Sequence, residues 1–151
     1  DSYTYKVEFL MPHVKTLNDF SNFKDTNDCS AVILVEFAGK KILFTGDMEE
    51  KAEDAFVEYY SNNKSEIYDI DCDVLKVGHH GSTTSSSNGF INAAAPSYAA
   101  ISVGLDNSYG HPHREILSAF NTRNINTLRT DENGSITFYL KNGRIFVETE
   151  K

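Results

Sequence analysis

Apolar and polar positions along the 151-residue chain change period several times, and each change marks an element. Residues 3–9 alternate apolar and polar, the signature of a half-buried strand. Residues 15–28 are polar and rich in Asn and Asp, which predicts a loop. Residues 31–37 and 41–45 are nearly continuous apolar runs around Ala38-Gly39-Lys40. That pattern predicts a hairpin whose arms lie inside a covered sheet.

From Asp47 or Met48 the period becomes helical. Ala52, Ala55, Phe56 and Tyr59 recur on one side as far as Tyr60, Glu49, Glu50 and Glu53 occupy the first turns, and Asn62-Asn63 ends the run. A short strand over 73–77 runs into Gly78-His79-His80-Gly81-Ser82. The hydroxyl-rich tract 82–88 can cap a helix over 89–95, which Pro96 breaks. Residues 98–103 form another strand, followed by a loop to Tyr109-Gly110-His111-Pro112. Pro112 suits the first position of a helix reaching Phe120, with Ile116, Leu117 and Phe120 facing inward. Strands over 126–129, 135–140 and 144–148 close the chain, the last two joined by Asn142-Gly143, a type I′ turn signal. Strands alternating with helices and ending in a hairpin define an α/β layered architecture with a mixed sheet. In such sheets the polar residues just beyond strand ends build the active site.

Composition narrows the partners. The net charge of −8, from 14 basic and 22 acidic side chains, argues against a wide basic track for duplex nucleic acid and suits a cation site. No run approaches the roughly 20 apolar residues that cross a bilayer, so no membrane contact is expected of this segment. Asp1-Ser2-Tyr3 opens neither a signal peptide nor a Met-initiated chain, so the segment reads as a piece of something longer, and its localisation stays open. Cys29 and Cys72 are too far apart in sequence for a CxxC pair and read as small buried thiols.

Three loops carry candidate chemistry. In Thr45-Gly46-Asp47 a carboxylate ends a buried strand, where it must be paired, cap a helix or hold a metal. In Gly78-His79-His80-Gly81 two imidazoles leave a strand between glycines that permit close backbone approach. Neighbours on an extended segment point to opposite sides, so only one of the two is expected to face a given centre. His111 follows a strand at a helix start, where a neutral imidazole can ligate a metal or meet a phosphate. Asp47, His79 and His111 are evenly spaced, 32 positions apart, with a helix and a strand in each interval, so the loops can converge on one rim. One Asp with two or three His is an oxygen and nitrogen donor set suited to zinc, manganese or iron. A metal lowers the pKa of a water it holds from 15.7 towards roughly 7, which supplies hydroxide at neutral pH.

These blocks, in order, are Asn27-Asp-Cys-Ser30, Ile42-Leu-Phe-Thr-Gly-Asp47, Asp73-Val-Leu-Lys-Val-Gly-His79-His80-Gly-Ser82, Asn107-Ser-Tyr-Gly-His111-Pro112 and Leu128-Arg-Thr-Asp131-Glu-Asn-Gly134. Together they resemble the metallo-β-lactamase superfamily, in particular its ComEC-type competence branch. The resemblance implies the C-terminal part of an αββα sandwich, with residues 1–151 forming a single partial domain that lacks the N-terminal metal-motif segment. It implies that Asp47 bridges two divalent metals, zinc or manganese, and that His79 is the last histidine ligand, preferred over His80 because it closes the strand. His80 and His111 become candidates for catalytic proton handling. Ser82, Asn107 and His111 become candidates for substrate contact, and Asn27 and Ser30 a loop-bracing pair. The family's His-x-(His/Asp)-x-Asp-His cluster is not found upstream of Asn27, and isolated His13 cannot supply it. The chain alone is therefore expected to hold at most one metal weakly, to expose an apolar sheet face prone to self-association, and to turn over little substrate.

Implied for the parent is a metal-dependent hydrolase, phosphodiester- or DNA-directed, with metal-bound hydroxide as nucleophile. The alternative is a degenerate, non-catalytic interaction module of the same fold. A Ser82-His80-Asp47 triad is a weaker competitor, because no Gly-x-Ser-x-Gly elbow exists and Ser82 lies only two residues from His80.

Overall fold

The computed structural model describes residues 4–11, 25–62 and 70–151. His13 and most of the loop predicted over 15–28 lie outside these residues. The elements are β1 (Tyr5–Met11), a 3₁₀ turn (Asn27–Cys29), β2 (Val32–Phe37), β3 (Lys40–Phe44), α1 (Glu50–Asn62), β4 (Val74–Lys76), a turn over Gly78–Gly81, α2 (Asn88–Ala94), β5 (Tyr98–Ile101), α3 (Arg114–Asn121), β6 (Asn126–Arg129), α4 (Thr130–Asn133), β7 (Ile136–Lys141) and β8 (Arg144–Thr149). Strands β1 to β6 form one sheet in sequence order, antiparallel through β1-β2-β3 and parallel through β3-β4-β5-β6. Strands β7 and β8 pair as a separate hairpin. This is a mixed α/β fold, as the alternation of strands and helices predicts.

The two faces of the sheet differ. Leu34, Leu43, Leu75 and Ala99 lie side by side in register and are buried. They join a core with Ala52 and Phe56 of α1, Phe90 and Ile91 of α2, and Ile116 and Phe120 of α3. The opposite face carries the row Val7, Val35, Ile42, Val74 and Tyr98. At its β5 end the hairpin covers it, with the Phe138 ring edge-on to Tyr98 at 5.8 Å. At its β1 end Tyr5 and Phe9 are each 74% exposed. Apolar side chains at the antiparallel edge are thus exposed.

Several boundaries moved for local reasons. Helix α1 begins at Glu50 rather than Asp47, because the Met48 amide closes a turn on the Thr45 carbonyl at 3.1 Å. Helix α2 is capped by Ser87, whose Oγ accepts from the Phe90 amide at 3.2 Å. Helix α3 starts at Arg114 and not at Pro112, since the His113 amide is spent on the Gly81 carbonyl at 2.9 Å. Strand β5 stops at Ile101, because the Val103 amide and carbonyl turn to Thr130 Oγ1 at 2.8 and 2.7 Å. Both cysteines are free, and burial pushes the Cys72 thiol up to about 12, which makes it inert.

Candidate functional site

Parallel strands β3, β4 and β5 end on the same rim, and each delivers one loop to it. After β3, Gly46 takes a left-handed φ of +56°, and a Cβ there would stand 2.9 Å from that of Ser30. The Asp47 amide then donates to Ser30 Oγ at 3.0 Å, so Ser30 fixes the loop that carries the carboxylate. Asn27 works separately. Its Nδ2 donates to Glu49 Oε1 at 3.4 Å, so the predicted bracing pair is two independent braces.

After β4 the chain does not stay extended. His79 and His80 both adopt left-handed φ, +44° and +55°, and the His79 amide donates to the Gly46 carbonyl at 3.2 Å. The alternation expected of an extended pair therefore does not apply. His80 Nε2 lies 3.7 Å from Asp47 Oδ1. Its Nδ1 is 2.6 Å from the Ser102 carbonyl after β5. A carbonyl only accepts, so Nδ1 carries a proton, and Nε2 is the ring nitrogen turned towards Asp47. His79 faces elsewhere. Its Nδ1 is 3.1 Å from both Glu49 Oε1 and Thr84 Oγ1, while Thr84 donates to the same Glu49 oxygen at 2.9 Å.

His111 stands beside these groups, its ring centre 5.7 Å from that of His79 and 4.8 Å from that of His113. Burial first, and then the neighbouring His113, His79 and His80, hold its pKa below the ordinary value. A neutral His111 at pH 7 follows. The Thr83 amide donates into His113 Nδ1 at 3.1 Å, so neutral His113 keeps its proton on Nε2. Lys76, the last residue of β4, donates to the Val77 carbonyl at 2.7 Å; burial lowers its pKa, and Asp47 opposes that shift.

Two candidates for substrate contact are engaged within their own loops. The Asn107 side chain makes three hydrogen bonds there. Nδ2 donates to the Gly104 and His111 carbonyls at 3.1 and 2.7 Å, and Oδ1 accepts from the His111 amide at 3.0 Å. Ser82 is buried, with its Oγ 3.0 Å from Thr84 Oγ1 and 3.3 Å from the Thr84 amide. It braces a turn. With Ser82 held there and His80 Nδ1 on Ser102, the Ser-His-Asp triad is not assembled.

Sequence reading missed Glu49, Thr84 and His113. Glu49 was absorbed into the first turn of a helix, yet it precedes the helix. Its position two residues after Asp47, and that of His113 two residues after His111, were the available signals.

The donor chemistry fits part of a metal sphere. Asp47 and His80 give one oxygen and one nitrogen on facing loops, and the His80 tautomer is fixed by a backbone acceptor, as is usual for ligating histidines. Among the described residues no group of three or more His, Cys, Asp or Glu is placed to share one cation. Among the described residues Asp47 and His80 are therefore a two-donor pair.

A mixed sheet whose parallel strands end in a Gly-Asp loop and a His-His turn defines the class. The family model described as the metallo-beta-lactamase superfamily matches residues 20–104, and the chain belongs to that superfamily. Its place is in the ComEC-like competence branch. The chain is 40% identical over 116 residues to ComE operon protein 3 of Bacillus subtilis, covering 77% of this chain and 14% of that protein. It is 40% identical over 138 residues to Competence protein ComA of Neisseria gonorrhoeae, covering 91% and 18%. Recombination protein 2 of Haemophilus influenzae is 37% identical over 91 residues, covering 60% and 10%. The match spans less than a fifth of the length of any of these three relatives. Among the described residues no helix is long and apolar enough to cross a membrane.

Proposed function

We propose that the chain is part of a metal-dependent hydrolase that cleaves phosphodiesters, DNA by analogy with its competence-named relatives, and that Asp47 and His80 are its contribution to the metal centre. The observation that carries this reading is the 3.7 Å approach of His80 Nε2 to Asp47 Oδ1 with His80 Nδ1 committed to Ser102. The ligand position first given to His79 passes to His80. The remaining ligands are supplied from outside the described residues. A bound divalent ion would supply an acidified water at neutral pH. His79, with Nδ1 held by Glu49 and Thr84, has its Nε2 free to meet a phosphate oxygen or the leaving oxygen. Neutral His111 serves beside it, as a hydrogen-bond partner rather than a cation.

The test is metal analysis together with phosphodiesterase assay on the intact protein. Asp47→Ala and His80→Ala are expected to lower bound metal and to reduce turnover by about a hundredfold or more. His79→Ala should keep the metal and lose rate. Unchanged metal content and activity in Asp47→Ala would sink the reading. Absence of both bound metal and turnover from the wild type would favour instead the non-catalytic interaction module, for which the two-donor count among the described residues speaks.

A further inference from the structure

Tyr109 is 77% exposed and Leu105, on the same loop, is 70% exposed, although both adjoin the most polar part of the molecule. The Tyr109 ring lies nearly parallel to His111, with centres 5.7 Å apart and an interplanar angle of 24°. His111 in turn meets His79 and His113 edge-on. A series of rings therefore leads outward from His79 and His113 through His111 and ends in an aromatic face open to solvent. The loop that presents this face is held by the three hydrogen bonds of the Asn107 side chain. An exposed aromatic ring on a braced loop loses little conformational entropy on binding a flat ligand.

The charge balance says where binding energy must come from. With a net charge of −8, neutralisation of many phosphates is not available to this segment, so affinity for a nucleic acid has to rest on contacts that do not depend on charge. Base–aromatic stacking is such a contact, and it needs a base whose face is uncovered, which a duplex does not offer.

We propose that Tyr109 is a nucleobase platform and that the substrate of this site is a single strand. One base stacks on the outer face of Tyr109 while the adjoining phosphate reaches the group formed by Asp47, His80 and His111. This inference rests on the hydrolase reading above and adds to it the strandedness of the substrate and a binding residue.

The test uses the intact protein with EDTA present, so that binding is read without cleavage. The probes are a short single-stranded oligodeoxynucleotide carrying fluorescent aminopurine, the same strand with an abasic site in place of that base, and the corresponding duplex. The wild type should quench aminopurine on binding and should prefer the base-bearing strand to both other probes. Tyr109→Ala should weaken binding of the base-bearing strand about tenfold and leave the abasic strand where it was, while Tyr109→Phe and Tyr109→Trp should restore the preference. If Tyr109→Ala weakens both strands equally or neither, if the duplex binds best, or if no strand binds, the platform is overturned. Cleavage by the wild type that is lost in Asp47→Ala, with no preference for a base, would refute the platform and keep the hydrolase. Base-dependent quenching without any cleavage would refute the hydrolase and keep the platform.

Discussion

At the scale of the residue, the site is set by backbone conformations that most side chains avoid. His79 and His80 sit in the left-handed region, where a non-glycine residue costs on the order of 1–3 kcal/mol and persists only if its surroundings insist. The insistence comes from both flanks. The Gly46 carbonyl takes the His79 amide, and Ser102 takes the His80 ring. Gly81 follows with φ +81°, and a Cβ there would come within 2.6 Å of Pro112 Cβ. Gly81→Ala is therefore expected to cost about 2–4 kcal/mol, combining left-handed strain with overpacking. Gly89, on the first turn of α2 with nothing near its missing Cβ, is the opposite case, and Gly89→Ala should add up to about 1 kcal/mol. Urea unfolding midpoints of the two variants should move in opposite directions. Equal shifts would mean that the tight approach of Gly81 to Pro112 is not what holds the His-His turn against the 111–113 segment.

At the scale of the element, α1 does more than cover the sheet. Glu53, on its inner side, is buried and accepts from the Ser86 and Ser87 amides at 2.6 and 2.7 Å. Burial pushes its pKa up, and the two amides pull it back. The carboxylate thus staples the 82–87 tract to the helix, and that tract carries Thr84, the partner of His79 and Glu49. Glu53→Ala leaves both amides without their acceptor at a cost of about 3 kcal/mol, and it frees Thr84. Denaturant unfolding measures the first effect. The second predicts that the His79 ring signals broaden in NMR spectra while those of His80, anchored on Ser102, stay sharp.

At the scale of the whole molecule, the two faces of the sheet are unequal. Among the described residues three helices bury one face, and the hairpin covers the β5 end of the other. Tyr5, Val7, Phe9 and Phe44 are exposed on the antiparallel side of the sheet, where apolar side chains in water invite association. The 151-residue chain by itself is expected to self-associate through this face. Replacing Val7 and Phe9 together by Lys should shift its sedimentation profile towards monomer. An unchanged profile would place the association elsewhere.

The sequence by itself determined what depends on near neighbours in the chain. Period-two alternation, short apolar runs, a 3.6-residue period and cap or breaker residues placed the strands and the three longer helices of the described residues, because burial and backbone stereochemistry impose these local patterns whatever the partner is. The Asn142-Gly143 turn was legible for the same reason, since both residue types readily take the positive φ observed there. Five ordered motif blocks sufficed for the superfamily. Only the tertiary structure decided which imidazole faces Asp47. That choice depends on a left-handed turn imposed by Gly46 and Ser102, one from each neighbouring strand end, and no local period encodes it. The same holds for Glu49, which looks like an ordinary first-turn acid until Thr84 and His79 arrive from positions 35 and 30 residues further along. It holds also for Asn107 and Ser82, whose polar atoms proved to be spent on their own loops. Side-chain type announces what a residue can do, and packing across distant segments settles which of its hydrogen bonds are left to do it.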